Sequence, residues 1–228
     1  MTLSIALAIA LLAWSLVGNL LVGETLYVTR NVVLGLLVVL LLRRAGATWA
    51  TLGLDPAQLR TGLRWGAVAM LVVAVSVTVG ALLADHLPGV GALLSDERAD
   101  LLAPELAWHA LWRIPVGTAL FEELVFRGAL LGLLLQHTSP ARAVLASSVV
   151  FGLWHVAPTI VTLQLNQVEV LSPQGLATIA GAVAVTTVAG VLFCLLRLGS
   201  GSLLGPVLAH WATNSIGLLA AAVTDLEP

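Results

Sequence analysis

Apolar residues fill long stretches of the chain, and short polar segments divide them. A helix needs about 20 apolar residues to cross the hydrocarbon core of a bilayer, so the pattern reads as a series of spans. Residues 1–23 carry no charge. A cleaved leader would need a basic start, so this run is expected to stay as a first span. Asn31 to Leu42 is apolar and ends at Arg43-Arg44. It is short, so its helix is expected to begin near Thr25, with Arg30 snorkelling. Residues 45–62 form a polar connection in which Asp55-Pro56 marks a helix start. Trp65 to Ala84 is a third span, and residues 85–105 are an acidic, solvated loop.

From Trp108 the pattern changes. Residues 106–136 are apolar but interrupted by Arg113, Glu122, Glu123 and Arg127. Thr138-Ser139-Pro140 breaks the run, and Ala141 to Val156 is a further span closed by Pro158. Residues 159–174 read as a mixed loop. The core of Val170–Leu196 is a sixth span, Gly199 to Ser202 a turn, and Leu203 to Val223 the last span. The expected fold is an all-α transmembrane bundle of about seven spans. It is a single membrane domain over 1–228, with three N-terminal helices in 1–84 and a polar-bearing core over 105–223. Gly62-x-x-x-Gly66 and Gly128-x-x-x-Gly132 would let helices approach closely.

Composition supports a membrane protein. Of 228 residues 59% are hydrophobic and 10% are charged, against about 25% charged in soluble domains. A soluble chain of this size could not hide that apolar surface. A net charge of −2 argues against nucleic acid as a partner. The single Cys194 permits no internal disulfide and reads as a buried small hydrophobe.

The ionisable residues inside the spans carry the chemistry. A charge at the centre of a membrane helix costs about 2.5–3.5 kcal/mol on insertion scales, and such a residue marks function by default. Glu123 and Arg127 stand at i and i+4 and can neutralise each other. Glu122 is rotated off that face and has no local cation. Phe151 lies one turn behind His155 on the same face, and His210 and Asn214 share another. Counted at 1.5 Å per residue from their turns, these clusters reach similar depths, as a shared site requires. A carboxylate beside a neutral imidazole can deprotonate water. His and Asn donors can hold an oxyanion. Two His and a Glu can alternatively hold Zn²⁺ with an open position. Both arrangements point to amide hydrolysis.

The ordered set E-E-x-x-x-R at 122–127, F-x-x-x-H at 151–155 and H-x-x-x-N at 210–214 resembles the CAAX-protease and bacteriocin-processing family. That family is also called the Abi or type II CAAX prenyl endopeptidase family. Phe126-Arg127-Gly128 and Gly201-Ser202-Leu203-Leu204 extend the likeness, which covers about residues 105–220. It implies an intramembrane endopeptidase in which Glu122 and His155 activate water and His210 and Asn214 form the oxyanion site. Glu123 and Arg127 would support them. The family leaves open whether metal is needed; if so, Glu122, His155 and His210 would hold Zn²⁺. Substrates would be membrane-embedded or prenylated proteins or peptides met in the lipid bilayer. Bacterial relatives are linked to bacteriocin maturation and self-immunity. The competing readings are an ion-coupled transporter and a non-enzymatic immunity or partner protein. The first would predict symmetry between halves, whereas the polar residues lie in the second half only.

The charge pattern also predicts sidedness. Seven alternating spans collect Arg43, Arg44, Arg60, Arg64, Arg142 and Arg197 on one face. The other collects Arg30 and Arg98 with Glu24, Asp85, Asp96, Glu97, Asp100, Glu169, Asp225 and Glu227. The positive-inside rule puts the N-terminus and the Arg-rich face in the cytoplasm of a multi-pass cell-membrane protein, with the site nearer the outer face.

Overall fold

The computed structural model describes residues 1–22, 24, 26–83 and 102–224. Among them are seven helices and no strand. Helix α1 is Thr2–Leu20 and α2 is Tyr27–Arg44. A single turn, Pro56–Gln58, leads into α3, Leu59–Leu83. Helix α4 runs without a break over residues 103–135. Helix α5, Pro140–Leu165, is interrupted at His155. Helix α6 is Pro173–Ser200 and α7 is Leu204–Thr224. The acidic segment expected at 85–105 falls outside the described residues up to position 101, as do Asp225 and Glu227.

Helices α1, α5, α6, and α3 with its lead-in turn are long and apolar enough to cross a membrane. The other three are more polar: three Arg lie on α2, two acids and two Arg in the middle of α4, and His210 with Asn214 on α7. Helix α4 is the central rod, with Val125–Leu131 buried on every face. Around it α3 and α6 expose unbroken apolar rows, including Val68, Leu71, Val72 and Val75 on one and Val185, Val188, Leu192 and Leu195 on the other. Such surface suits lipid and not water; this is a membrane protein.

Several boundaries differ from the sequence expectation. Asp55 accepts from Ala57 N at 2.9 Å and opens the turn expected at Asp55-Pro56, but the third helix then follows from Leu59 and not from Trp65. Helix α5 does not close at Pro158 but continues to Leu165, because the chain has already paused at His155. Pro158 therefore sits in the first turn of a new segment, where a missing N–H is tolerated. Residues 159–165, expected as loop, are helix. Ser172 caps Gly175 N at 3.1 Å and opens α6 at Pro173. Arg30 does not merely snorkel. It donates to Gly18 O at 2.5 Å, near the C-terminal end of α1, where a cation meets the favourable end of the helix dipole.

The two small-residue motifs serve different contacts. A Cβ at Gly62 would stand 2.6 Å from Ser202 Cβ, so Gly62 and its neighbour one turn on let α3 press onto α7. A Cβ at Gly132 would stand 2.6 Å from Thr51 O. Helix α4 thus receives the 45–55 loop there and not another helix. That loop is also held by Arg197, which donates to Ala50 O at 2.9 Å, and by Leu203 N, which donates to Gly53 O at 2.8 Å. At the opposite end of the bundle Arg113 pairs with Glu24. The helix ends therefore alternate between two faces.

Candidate active site

The site forms where α4, α5 and α7 meet. Helix α4 is unusual there. It bonds i→i+5 over His109–Leu120 and again over Leu124–Leu130, on either side of a short α-helical turn, Phe121–Glu123. Wide turns of this kind are rare and concentrate at functional sites. Pro115 lies in the first of them and lacks the N–H that would reach Ala110 O in that register. Trp211 Nε1 and Ser215 Oγ, both on α7, donate to Ala110 O at 2.8 and 2.9 Å. Neighbouring side chains commonly satisfy carbonyls freed by proline inside membranes. Here the substitution also fixes the rotation of α7 one residue from His210.

Glu123 and Arg127 make the expected i, i+4 pair, at 3.0 Å and with no exposure of either side chain. Arg127 lies over the Phe151 and Phe193 rings, 4.0 and 5.1 Å from their centroids. The aromatic faces stabilise a guanidinium that has only one ionic partner here. Glu123 does more than neutralise Arg127. Its Oε1 also accepts from His210 Nδ1 at 2.8 Å. The carboxylate therefore sets the imidazole, whose Nε2 points towards Glu122 Oε2 at 3.9 Å. The His210 ring is stacked on Phe193, 5.0 Å between centroids and 18° between planes. A carboxylate on one ring nitrogen fixes the role of the other.

Glu122 is buried, and it has a partner that its sequence neighbours do not supply. Trp154 Nε1 donates to its Oε1 at 3.1 Å. Its Oε2 makes no hydrogen bond among the described residues. A buried carboxylate oxygen without a donor is costly to keep, and here it faces His210.

His155 ends the first part of α5. Its Nδ1 lies 2.8 Å from Phe151 O. A carbonyl can only accept, so Nδ1 carries the proton and a neutral ring keeps its lone pair on Nε2. The ring meets Phe151 edge-on at 4.7 Å. His155 is half-buried, and it shares the Phe151 ring with His210, whose ring also meets Phe151 edge-on, at 6.1 Å. Asn214 is half-buried one turn beyond His210, and its side chain makes no hydrogen bond among the described residues.

The structure thus joins Glu122, Glu123, Arg127 and His210 by direct contacts, sets His155 beside them, and leaves the Asn214 amide free to bind. Sequence reasoning missed Trp154, which holds Glu122, and Phe193, which backs both His210 and Arg127. Trp154 precedes His155 and Trp211 follows His210, a mirrored pairing that was available in the sequence. Phe193 left no signal in its apolar run.

His210 Nδ1 bonds Glu123 and His155 Nδ1 bonds a carbonyl, which leaves Nε2 open on both rings. Among the described residues no three His, Cys, Asp or Glu side chains converge closely enough to hold an ion. Cys194 is buried and lies 3.8 Å from Ser148 Oγ, away from the site.

An apolar groove of about 830 Å³ lies between α3 and α6 over α7. Arg64 and Trp65 line it near the Arg-rich face, and Phe193, Ala209 and Thr213 line it at depth. Its deep end therefore shares Phe193 with His210.

Residues 104–216, from the start of α4 to midway along α7, match the family model described as type II CAAX prenyl endopeptidase Rce1-like. No curated protein and no solved structure matches the chain.

Proposed function

Residues 104–216 belong to the type II CAAX prenyl endopeptidase Rce1-like family, and on that premise we propose that this protein is a multi-pass intramembrane endopeptidase that processes lipid-modified peptides. The observation that carries the mechanism is Glu122: one oxygen is fixed by the Trp154 indole, and the other is buried, unbonded and turned to His210. Such an oxygen is a general base. A water bound there gives one hydrogen to Glu122 Oε2 and the other to His155 Nε2, which directs its lone pair at a substrate carbonyl. Burial in a dry site strengthens both bonds.

The same geometry serves the oxyanion. With His210 protonated, the buried set of two carboxylates, Arg127 and the imidazolium is charge-neutral. Glu123 stabilises that imidazolium through Nδ1–H, and Nε2–H faces the reacting centre. The Asn214 amide adds a second donor one helical turn away. Attack of the water places one proton on Glu122, which passes it to the leaving nitrogen as the C–N bond breaks. The remaining proton of the new carboxyl group goes to His155 Nε2 and from there to the amine, so that the products are a carboxylate and an ammonium and both bases are regenerated.

The groove supports a substrate carrying an aliphatic chain. It is apolar, opens to the lipid, and ends against the residue that stacks on His210. We take Glu122 and His155 to activate the water without a metal; because both imidazoles keep Nε2 open while Nδ1 is held, as metal-ligating histidines also do, the chelator arm of the test below decides this point.

The test is the incubation of purified protein in detergent with a farnesylated peptide ending in a C-terminal tripeptide, in H₂¹⁸O. Release of the tripeptide with ¹⁸O in the new carboxylate of the lipidated product is expected, unchanged by a chelator. No release from that peptide or its geranylgeranylated and unlipidated forms would overturn the endopeptidase reading. Loss of release in chelator, restored by Zn²⁺, would overturn the metal-free mechanism alone.

A further inference from the structure

The break at His155 leaves a backbone carbonyl without its helical donor, and the group that meets it comes from outside the family segment. In an uninterrupted helix Trp154 O would accept the N–H of residue 158. Residue 158 is proline and has none. Instead Ser15, on α1, donates its hydroxyl to Trp154 O at 2.7 Å across 139 residues of sequence. Both ends are buried: Ser15 is 2% exposed and Trp154 5%. Serine inside a helix ordinarily returns its hydroxyl to its own backbone four residues back; here the hydroxyl turns to the neighbouring helix. Asn19, one turn on, donates to Ser15 O at 2.8 Å and braces this stretch of α1.

The contact lies one residue from two site groups. Trp154 holds Glu122 through its indole, and its own carbonyl belongs to the peptide that leads into His155. The Trp154 ring is wedged between Phe121 and Phe126 of α4, at 6.0 and 5.5 Å. Rotation of the Trp154–His155 peptide therefore moves the indole away from Glu122 and the imidazole away from its place together. We propose that Ser15 is a positioning residue of the site: its hydroxyl replaces the N–H missing at Pro158 and fixes the peptide from which both Glu122 and His155 are aligned. The N-terminal helix, which carries none of the family motifs, is by this route part of the machinery. For turnover the inference rests on the endopeptidase reading; for structure it does not.

The test is a cycle of Ser15→Ala, Pro158→Ala and the double variant, in the full chain, read in turnover and in thermal unfolding. Ser15→Ala alone is expected to lower kcat about tenfold with KM within twofold, since it misaligns the water-holding groups and not the substrate. Ser15→Thr keeps the hydroxyl and is expected within threefold of wild type. In the Pro158→Ala background an N–H is again available to Trp154 O, so Ser15→Ala should change kcat and the unfolding temperature far less than it does alone. Equal effects of Ser15→Ala in both backgrounds would overturn the proposal, because loss of packing would act alike in each. So would a Ser15→Thr variant as impaired as Ser15→Ala. If Pro158→Ala does not fold, the Ala and Thr substitutions at Ser15 decide. If wild type cleaves no substrate, the endopeptidase reading fails separately, and the unfolding cycle still decides for Ser15.

Discussion

Arg127 shows how a single side chain can hold this site together. It is fully buried, bonds Glu123, and lies on two phenylalanine rings. Removing one member of a buried ion pair leaves the other charge uncompensated, at a cost of about 3–5 kcal/mol. Arg127→Ala is therefore expected to destabilise the fold by that order, with a clear drop in unfolding temperature in detergent. Because Glu123 would then lose its neutralising partner while still bound to His210, activity should fall as well. A variant as stable as wild type would mean that the pair contributes nothing. At this scale the sequence was informative about charge and blind to hydrogen bonds between helices. The i, i+4 spacing identified Glu123–Arg127, and Glu122 stood out as the acid without a local cation. That Glu123 also bonds His210 depends on the rotation of α7, which a helical repeat on one segment does not encode. The Trp154 indole was hidden for the same reason.

Among the elements, the prolines set the geometry. Pro115 and Pro158 each remove an N–H from a helix. The carbonyl each would have reached in an unbroken helix of the local register accepts from a side chain on another helix: Ala110 O from Trp211 and Ser215, and Trp154 O from Ser15. In lipid every such carbonyl needs a donor from the protein, so proline positions select which helices must touch. Of the seven spans expected, four helices among the described residues are long and apolar enough to cross a membrane. The helices were largely legible because hydrophobic runs report them directly. The continuation of α5 past Pro158 was not, since a proline reads locally as an ending. Gly62 makes a separable claim about α3 and α7. Gly62→Leu would drive a side chain into Ser202, whose Cβ already lies 2.6 Å from where the first added carbon would stand. Overpacking of this kind costs about 1–3 kcal/mol. A fall in unfolding temperature is expected, with Gly80→Leu, where an added Cβ meets nothing within 4 Å among the described residues, as the silent control. Equal behaviour of the two variants would show that α3 does not press on α7.

For the whole molecule, the alternating ends make the proposed topology testable. We place the Arg-rich face, with the 45–55 loop and the 136–139 turn, in the cytoplasm, and the 166–172 turn outside. In a chain whose Cys194 is replaced by alanine, Asn166→Cys is expected to react with an impermeant thiol reagent in intact cells. His137→Cys should react only after lysis, and the reverse pattern would invert the topology. The central claim concerns Glu122, the buried carboxylate that lies between the Trp154 indole and His210. It is tested most directly by the turnover of Glu122→Gln on a substrate that wild type cleaves. Glutamine keeps the volume and an oxygen for Trp154 to bond, so the variant should fold and melt as wild type does while kcat falls at least a thousandfold, roughly the upper part of the range for general-base loss. Turnover within tenfold of wild type in a correctly folded Glu122→Gln protein would contradict the account.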